Sequence, residues 1–224
     1  MGSLNDIITP PITTEEEWHK ARLKGIGASE ASAIVGCNPY MTNVDLWRIK
    51  TGRRQAQDIS SNAHVAYGHA AEGPIRELFA LDYPAYEVTY GGAFDVVRHP
   101  QHPWLFATLD GRLVERESGR RGVYEGKTTE ILRSIAKEKW RDGVPQNYYV
   151  QNLHQLLATG WDFVVLHAQL KRNWDGEIKS TRQTYFIERS EVKDDLDFLL
   201  EKEVDFWENY VLKDREPPLI LPEI

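Results

Sequence analysis

Apolar and polar residues alternate along the chain with two different periods, and the two periods predict different elements. Apolar positions three to four residues apart predict helices. The predicted helices cover residues 14–24, 28–36, 42–51, 62–81, 130–141, 146–159 and 191–212. Apolar positions at every second residue predict strands. The predicted strands cover residues 86–97, 106–110, 112–117, 162–170 and 181–190, and one further strand carries Glu125 and Lys127.

Residues with special backbone preferences mark the ends of several predicted helices. Thr13 and Thr14 with Glu16 and Glu17 fit a helix-capping box at the start of the first helix. Ser29 and Thr42 are placed to cap the second and third helices. Pro74 interrupts the long fourth helix and predicts a bend or a restart there.

The order of these elements predicts an α/β fold with a central mixed sheet flanked by helices. Glycine-containing turns predict strand pairing within residues 86–97 and a hairpin between the last two strands. A chain of 224 residues predicts a single domain, residues 1–224. Within it, residues 1–12 are expected to form a flexible arm, and residues 213–224 a tail that packs on the domain.

The composition excludes several classes of protein. No run of about 18 apolar residues is present, so no membrane-spanning segment is predicted. The N-terminal residues do not resemble a signal peptide, and Cys37 is the single cysteine. One cysteine excludes an internal disulfide and a four-cysteine metal or iron–sulfur site, and it fits a reducing cytoplasm.

The net charge of −7 argues against a protein covered in nucleic-acid-binding positive charge. A nuclease remains compatible with it, because a metal-dependent site concentrates carboxylates and bound cations reverse the local field. Any contact with DNA then depends on local basic segments, such as residues 53–54, 116–121 and 137–141, which could equally be solvated faces.

The stretch from Phe106 to Thr128 carries the strongest candidate chemistry. Asp110 ends one predicted strand, and Glu125 and Lys127 lie two residues apart on another, so the latter two share a face. In a three-strand meander Asp110 lies beside them, and two carboxylates then meet a lysine. This set suits one-metal or two-metal hydrolysis of a phosphodiester. Taken alone, a D…ExK pattern more often consists of solvated sheet charges.

Three further segments suggest partners for this site. Arg22 followed by a glycine-rich turn and Ser29 can hold a phosphate, although a plain helix cap explains the segment equally. Glu72 lies among small residues on a helix and needs a partner there, or it is exposed. Gln151 and Gln155 are one helical turn apart and face the same way, as residues of any polar helix face would.

Taken in order, these segments resemble one family. The matching stretches are RLKGIGASEASAIVGCNPYMTNVDLWRIKTG, GHAAEGPIRELF, FATLDGRLVE, GVYEGKT and VPQNYYVQNLHQLLATG, between about residues 18 and 161. They are similar to the YqaJ-type viral recombinase family, also known for phage lambda exonuclease, within the PD-(D/E)xK nuclease superfamily. The resemblance implies a restriction-endonuclease-like core.

The resemblance also implies an activity and partners. The expected activity is a Mg²⁺-dependent 5′-to-3′ exonuclease that digests one strand of linear double-stranded DNA in phage-type recombination, with Mn²⁺ able to substitute. Its expected partners are 5′-phosphorylated duplex ends and a single-strand-annealing recombinase. Relatives often form ring-shaped trimers, so a homo-oligomer is implied, with the ring trimer as one form. The implied location is the cytoplasm of a bacterial host cell.

The resemblance assigns roles to residues of the catalytic stretch. Asp110 and Glu125 match the metal-binding carboxylates, and the Gly126 carbonyl matches the backbone ligand. Lys127 matches the lysine that orients or deprotonates the attacking water. Glu72 matches the helical acid that completes the site.

Further matches lie outside that stretch. Gln151 matches the amide beside the site, and Arg22, Ser29 and Thr108 match the pocket for the 5′-phosphate. Leu153 stands where many relatives have a second glutamine, which puts the role of that amide in doubt.

Two alternatives differ from this reading. One is a catalytically silent DNA-end-binding or recombination accessory protein, and the other is a related PD-(D/E)xK endonuclease. Retention of both acids and the lysine argues against the silent protein, and a closed circular substrate distinguishes the endonuclease.

Overall fold

A computed structural model describes residues 12–57, 61–130, 140, 143–174 and 177–222. The helices are α1 Glu15–Leu23, α2 Ala28–Ile34, α3 Asn43–Lys50, α4 Ala63–Asp82, α5 Gln146–Thr159 and α6 Lys193–Asp205, which continues into a π-helical segment, Phe206–Val211. The strands are β1 Ile26–Gly27, β2 Tyr86–Thr89, β3 Val96–Arg98, β4 Leu105–Thr108, β5 Gly111–Glu115, β6 Arg121–Glu130, β7 Phe163–Trp174 and β8 Glu177–Glu188.

The strands form two sheets. The larger has the order β2-β5-β6-β7-β8, in which β6 and β7 are parallel and the other pairs antiparallel. The smaller has the order β1-β4-β3 and also mixes parallel and antiparallel pairs. Because parallel neighbours need a crossover connection, the chain between β6 and β7 passes through α5. The predicted mixed sheet flanked by helices is therefore confirmed, as is the hairpin of β7 and β8.

The predicted meander is wrong in one respect, because β4 and β5 belong to different sheets. The chain leaves the small sheet after Thr108 and enters the large one at Gly111, opposite Tyr124. Beyond Tyr124, β6 pairs only with β7 among the described strands. The two sheets thus diverge at Asp110, and we call the opening beside β6 the fork.

Two other strand and helix predictions need correction. Residues 86–97 do not pair with each other, since β2 lies in the large sheet and β3 in the small one. The helix predicted for residues 130–141 falls mostly outside the described residues. Glu130 is the last residue of β6, and Trp140 is helical. The α4 helix runs continuously through Pro74, because its packing on β6 holds it on both sides of the missing hydrogen bond.

Helix caps follow the sequence at two of the three predicted positions. Thr14 accepts a hydrogen bond from the Glu17 backbone N–H, and Thr42 caps α3 in the same way. The prediction that Ser29 caps α2 is wrong. Gly27 occupies the cap position, and its N–H donates to Glu30 Oε2 at 2.8 Å. The capping contact at this end of α2 is therefore made by the third helical residue, whose carboxylate accepts from the N-cap backbone N–H.

Helix α5 lies at the centre of the main hydrophobic core. Its buried side chains Val150, Leu153, Leu156 and Leu157 pack with residues of α2, β4, β6, β7 and α6. On the other face of the large sheet, Phe79 of α4 packs against Tyr124 of β6. The two faces of β6 are thus covered by different helices, α5 on one side and α4 on the other.

The position of the C-terminal tail and the character of the helices complete the description. The tail is bound to α3, since Asn43 donates to the Pro218 carbonyl at 2.7 Å and accepts from the Ile220 N–H at 3.0 Å. Across the described ranges, no helix combines the length and the apolar character needed to cross a bilayer.

Candidate active site

Glu125 is the centre of the candidate site. Its side chain points to α5, where Gln151 Nε2 donates to Oε1 at 2.7 Å and Gln155 Nε2 donates to Oε2 at 2.5 Å. Only 2% of the residue is exposed to solvent. A buried carboxylate is costly unless it accepts hydrogen bonds, and the two amides supply them without adding charge.

Lys127 lies on the same face of β6, as two-residue spacing dictates. Its Nζ contacts Glu125 Oε1 at 2.6 Å and lies 5.4 Å from the centre of the Tyr148 ring. Burial lowers the pKa of Lys127, but the charges of Glu125 and Asp110 outweigh burial and raise the pKa above its ordinary value. Lys127 is therefore held as an ammonium group.

Asp110 is placed at the fork by the change of sheet. Because no β5 residue faces Gly126, its N–H is free of the ladder and donates to Asp110 Oδ2 at 3.0 Å. The backbone oxygen of Asp110 accepts from Arg76 Nη1 at 2.8 Å. Burial and the nearby Glu125 charge raise the pKa of Asp110 to about 8. Lys127 acts in the opposite direction without cancelling them.

These groups fit a divalent cation of the Mg²⁺ type. Two carboxylates face one lysine, and burial, together with the charge of Glu125, raises the pKa of Asp110 despite the nearby Lys127. In a strand the N–H and C=O of one residue point the same way, so the Gly126 carbonyl also faces the fork. Oxygen ligands of this kind are those Mg²⁺ prefers. Within the described part of the chain, no three His, Cys, Asp or Glu side chains cluster closely enough to form a metal site by themselves.

Glu72 approaches the same region from the opposite face of β6. On α4, a Cβ added at Gly68 would lie 3.5 Å from Thr128 Oγ1, and Ile75 packs over Gly126. Glu72 is spaced between these two positions on one helix face, and its charge contributes to the raised pKa of Asp110. Its carboxylate is half-exposed and pairs with His69 at 3.3 Å.

The residues predicted to bind a phosphate lie where α1, β1 and α2 meet. Arg22 Nη2 lies 3.5 Å from Ser29 Oγ, and its guanidinium also contacts Glu30 Oε1 at 3.0 Å. Ser29 is exposed in the first turn of α2. The guanidinium stacks 4.8 Å from the centre of the Trp18 ring.

Thr108 connects this pocket to the fork. Its Oγ1 accepts a hydrogen bond from Trp18 Nε1 at 2.9 Å, and it lies two residues before Asp110. The Trp18 ring thus contacts both Arg22 and Thr108, and Arg22 in turn contacts Ser29.

Several contacts at the site went beyond the sequence prediction. Gln155, and not residue 153, supplies the second amide, since Leu153 is buried in the core. The four-residue spacing of Gln151 and Gln155 was the signal for it. Arg76 carries the same signal, because it lies four residues after Glu72 on α4.

Of the basic segments considered for DNA contact, residues 53–54 are paired with acidic side chains, and residues 137–141 lie mostly outside the described part of the chain. Arg53 pairs with Asp214 and Arg54 with Asp45, each at 2.5 Å. Residues 137–139 and 141 lie outside the described residues.

A cavity of about 420 Å³ is separate from these groups. It lies between the end of α4 and strands β7 and β8, and Asp82, His167 and Arg182 are among its lining residues. The candidate site is thus defined by the charged groups that meet at the fork and not by this cavity.

The fold and the acid–acid–lysine set together define a class of protein. The model of the YqaJ-like viral recombinase domain matches residues 17–162, well over half of the chain. The chain therefore belongs to the YqaJ-like viral recombinase domain family, as the sequence motifs predicted.

Particular relatives support the same placement. The chain is 29% identical over 212 residues to the "Uncharacterized protein YqaJ" of Bacillus subtilis (strain 168). That match covers 92% of this chain and 59% of the relative, so the chain spans about three fifths of the relative's length.

A solved structure confirms the fold. The alkaline exonuclease LHK-Exo of Laribacter hongkongensis superposes with a TM-score of 0.54 and 21% identity, over 89% of this chain and 97% of that chain. LHK-Exo in complex with dAMP superposes with a TM-score of 0.52, at the same identity and coverage. The predicted restriction-endonuclease-like core is thereby confirmed.

Proposed function

We propose that this protein is a Mg²⁺-dependent 5′-to-3′ exonuclease that digests one strand of linear double-stranded DNA. The observation that carries the proposal is the convergence of Asp110, Glu125 and Lys127 at the fork, with Gln151 and Gln155 bonded to Glu125. The alkaline exonuclease named in the structural match and the family itself support a nuclease.

Asp110, Glu125 and the Gly126 carbonyl would hold the divalent cation, which when bound lowers the pKa of a water and screens charge on the scissile phosphate. Gln151 and Gln155 fix the orientation of Glu125 by one hydrogen bond each. Preorganised oxygen atoms of this kind need no rearrangement as charge develops.

Lys127 orients the attacking water. It is held as an ammonium group beside Glu125, so it can donate hydrogen bonds. Its positive charge also lies where the pentacoordinate phosphorus of the transition state carries more negative charge on its oxygens. Tyr148 limits the space around Nζ on the α5 side.

The direction of digestion follows from the phosphate pocket. Arg22 and Ser29 would bind the terminal 5′-phosphate, with Thr108 between that pocket and the fork. Contacts to phosphates fix the position of the DNA and do not read its bases, so digestion would be independent of sequence. Mn²⁺ would substitute for Mg²⁺, because both accept oxygen ligands.

Replacement of Lys127 by Ala tests the catalytic assignment. Digestion of a linear duplex with Mg²⁺ should fall by about 10²- to 10⁴-fold, the usual worth of a positioned proton-transfer or donor group. Lys20→Ala is the matched control, since Lys20 is exposed and pairs with Glu16 on its own helix. Full activity in the Lys127→Ala protein would contradict the catalytic role assigned to Lys127.

The substrate set in the same assay separates the alternatives. Duplexes labelled at the 5′ or the 3′ end give the direction, and a closed circle tests for endonuclease activity. A silent end-binding protein would retain the labelled end without shortening either strand. Cutting of the closed circle would replace the exonuclease by a related endonuclease.

The proposed biological setting is phage or prophage recombination in the bacterial cytoplasm. The exonuclease would expose a single strand for an annealing recombinase. A homo-oligomer, with a ring trimer as one form, would keep the enzyme on its substrate. Sedimentation with and without linear duplex tests the oligomer, and co-purification with the annealing protein tests the partner.

A further inference from the structure

Lys50 is a buried lysine that reaches the candidate phosphate pocket from another helix. Its side chain is 1% exposed, and its Nζ contacts Glu30 Oε2 at 2.7 Å and the Arg22 carbonyl at 2.6 Å. It thus ties the end of α1 to the start of α2 from α3. A buried ammonium group without such partners would be strongly unfavourable.

Glu30 is shared between two cations. Its Oε2 atom accepts from Lys50 and from the Gly27 N–H, while Oε1 contacts Arg22 Nη2 at 3.0 Å. Burial would raise the pKa of Glu30, but the charges of Lys50 and Arg22 outweigh it and hold that pKa below its usual range. The cluster of Glu30, Lys50 and Arg22 therefore carries one negative and two positive charges, a net charge of +1.

Arg22 is the member of this cluster that solvent reaches. Its side chain is 26% exposed, and Glu30 engages only Nη2. Among the residues that the structure describes, Nε and Nη1 of Arg22 make no hydrogen bond. Those donors and the surplus positive charge are available to an anion.

We propose that Lys50 is a positioning residue for recognition of the 5′-phosphate: it neutralises Glu30 so that the charge of Arg22 is free for the phosphate. The proposal rests on the phosphate pocket of the proposed function and adds the two buried residues behind it. Without Lys50, Glu30 would pair with Arg22 alone, and the net charge of the cluster would fall from +1 to zero.

The test compares duplexes with 5′-phosphorylated and 5′-hydroxyl ends in the same digestion assay, with kcat and KM measured for each. Lys50→Met should reduce the preference for phosphorylated ends by about tenfold, through KM, as the loss of one charge-assisted interaction does. Because both substrates are measured on one enzyme, a lower amount of folded protein cancels in the ratio.

A double variant distinguishes electrostatics from packing. In Glu30→Gln with Lys50→Met the cluster again carries +1, from Arg22 alone, and the preference should return to within a few-fold of the wild type. Arg48→Met is the matched control, since Arg48 is an exposed cation of the same helix, 3.7 Å from Glu216, and should leave the ratio unchanged.

Each outcome supports or contradicts the proposed role of Lys50. A folded Lys50→Met protein with the wild-type ratio overturns the role of Lys50, and a double variant that fails to recover shows that Lys50 acts through packing only. If Lys50→Met does not fold, Lys50→Gln carries the same expectation with a neutral donor to the Arg22 carbonyl. A wild type that does not distinguish the two ends overturns the phosphate pocket itself, and with it this proposal.

Discussion

Two buried glutamates, Glu30 and Glu125, each contact a lysine, yet their surroundings are opposite. Glu30 is shared by Lys50 and Arg22, so cations outnumber carboxylates. Glu125 shares Lys127 with Asp110, so carboxylates outnumber cations. Burial lowers the pKa of both lysines, and only at Lys127 do the carboxylates outweigh it and raise the pKa.

The different ratios of cations to carboxylates indicate which ligand each cluster can bind. An excess of positive charge suits a phosphate, and an excess of oxygen ligands with negative charge suits a divalent cation. The same pair of residue types therefore serves opposite ligands, and the third charged neighbour decides which. Trp18, whose ring contacts Arg22 of the first cluster, donates to Thr108, which lies two residues before Asp110 of the second.

Asp110→Asn should give the largest effect, because it removes one of the two carboxylates that would hold the cation beside Glu125. Mg²⁺-dependent digestion should fall by more than about a thousandfold, since a bound cation supplies several kcal/mol to the transition state. Asp197→Asn is the control, as Asp197 is exposed and pairs with Lys193 on its own helix.

A second readout of the same variant does not depend on activity. Binding of Mn²⁺ at about one hundred times its Kd should stabilise the wild type by about 2.7 kcal/mol and leave Asp110→Asn unchanged. Thermal unfolding with and without Mn²⁺ measures this. Equal stabilisation of both proteins would place the cation elsewhere.

Gln155→Ala should have a smaller effect, because it removes a neutral donor and leaves the charge count as it is. Digestion should fall by about 10- to 100-fold, as for other residues that orient a metal ligand. Gln155 is fully buried, so its thermal stability must be measured alongside. An unchanged rate in a folded Gln155→Ala protein would mean that Gln151 and Lys127 hold Glu125 without it.

His154 and Glu203 form a third buried cluster, in which the charges balance. His154 Nδ1 contacts Glu203 Oε1 at 2.7 Å, and its Nε2 contacts the Phe106 carbonyl at 2.9 Å. Both nitrogens face acceptors, so both carry protons when Glu203 is ionised. Burial lowers the pKa of His154, but Glu203 and, more weakly, Glu30 raise it above its ordinary value.

The balanced pair predicts the smallest effect on digestion, and its main consequence is a pH dependence of stability. A raised pKa in the folded protein stabilises fully below the ordinary histidine pKa and less as pH rises through the folded value. The free energy of unfolding should therefore fall as pH rises above the ordinary histidine pKa, and this dependence should disappear in His154→Gln. That variant should also lose about 3–5 kcal/mol, because Glu203 stays buried without its partner. Chemical denaturation at each pH measures both, and an unchanged slope would contradict the assigned proton.

Much of the fold followed from local sequence signals. The capping box at the start of α1 and the cap at Thr42 placed α1 and α3, and the Asp175-Gly176 turn signal placed β7 and β8 as a hairpin. These features depend on residues a few positions apart, so the sequence alone defines them.

The assignment of strands to sheets could not be predicted in the same way. Nothing local distinguishes Leu105–Thr108 and Gly111–Glu115 as members of different sheets, because the difference lies in which distant strands pair with them. The same holds for Lys50, which looked like an ordinary basic residue near the end of a helix. Its role depends on Glu30, twenty residues away, and on burial that only the assembled fold provides.

Within the site, types of residue were easier to predict than contacts. The spacing of Glu125 and Lys127 put them on one face of β6, and the structure agrees. The hydrogen bond from Gly126 to Asp110 could not be foreseen, because it requires β5 to begin at Gly111, two residues short of pairing with that amide.

That one backbone proton has a spectroscopic consequence. Glycine amides resonate apart from most others in a ¹⁵N–¹H correlation spectrum, so the Gly126 signal is open to observation without a label at the reacting groups. Its hydrogen bond to Asp110 makes its chemical shift respond to the charge on that carboxylate. The signal would therefore move with added Mg²⁺, and again as DNA enters the fork, giving each binding step its own resonance shift.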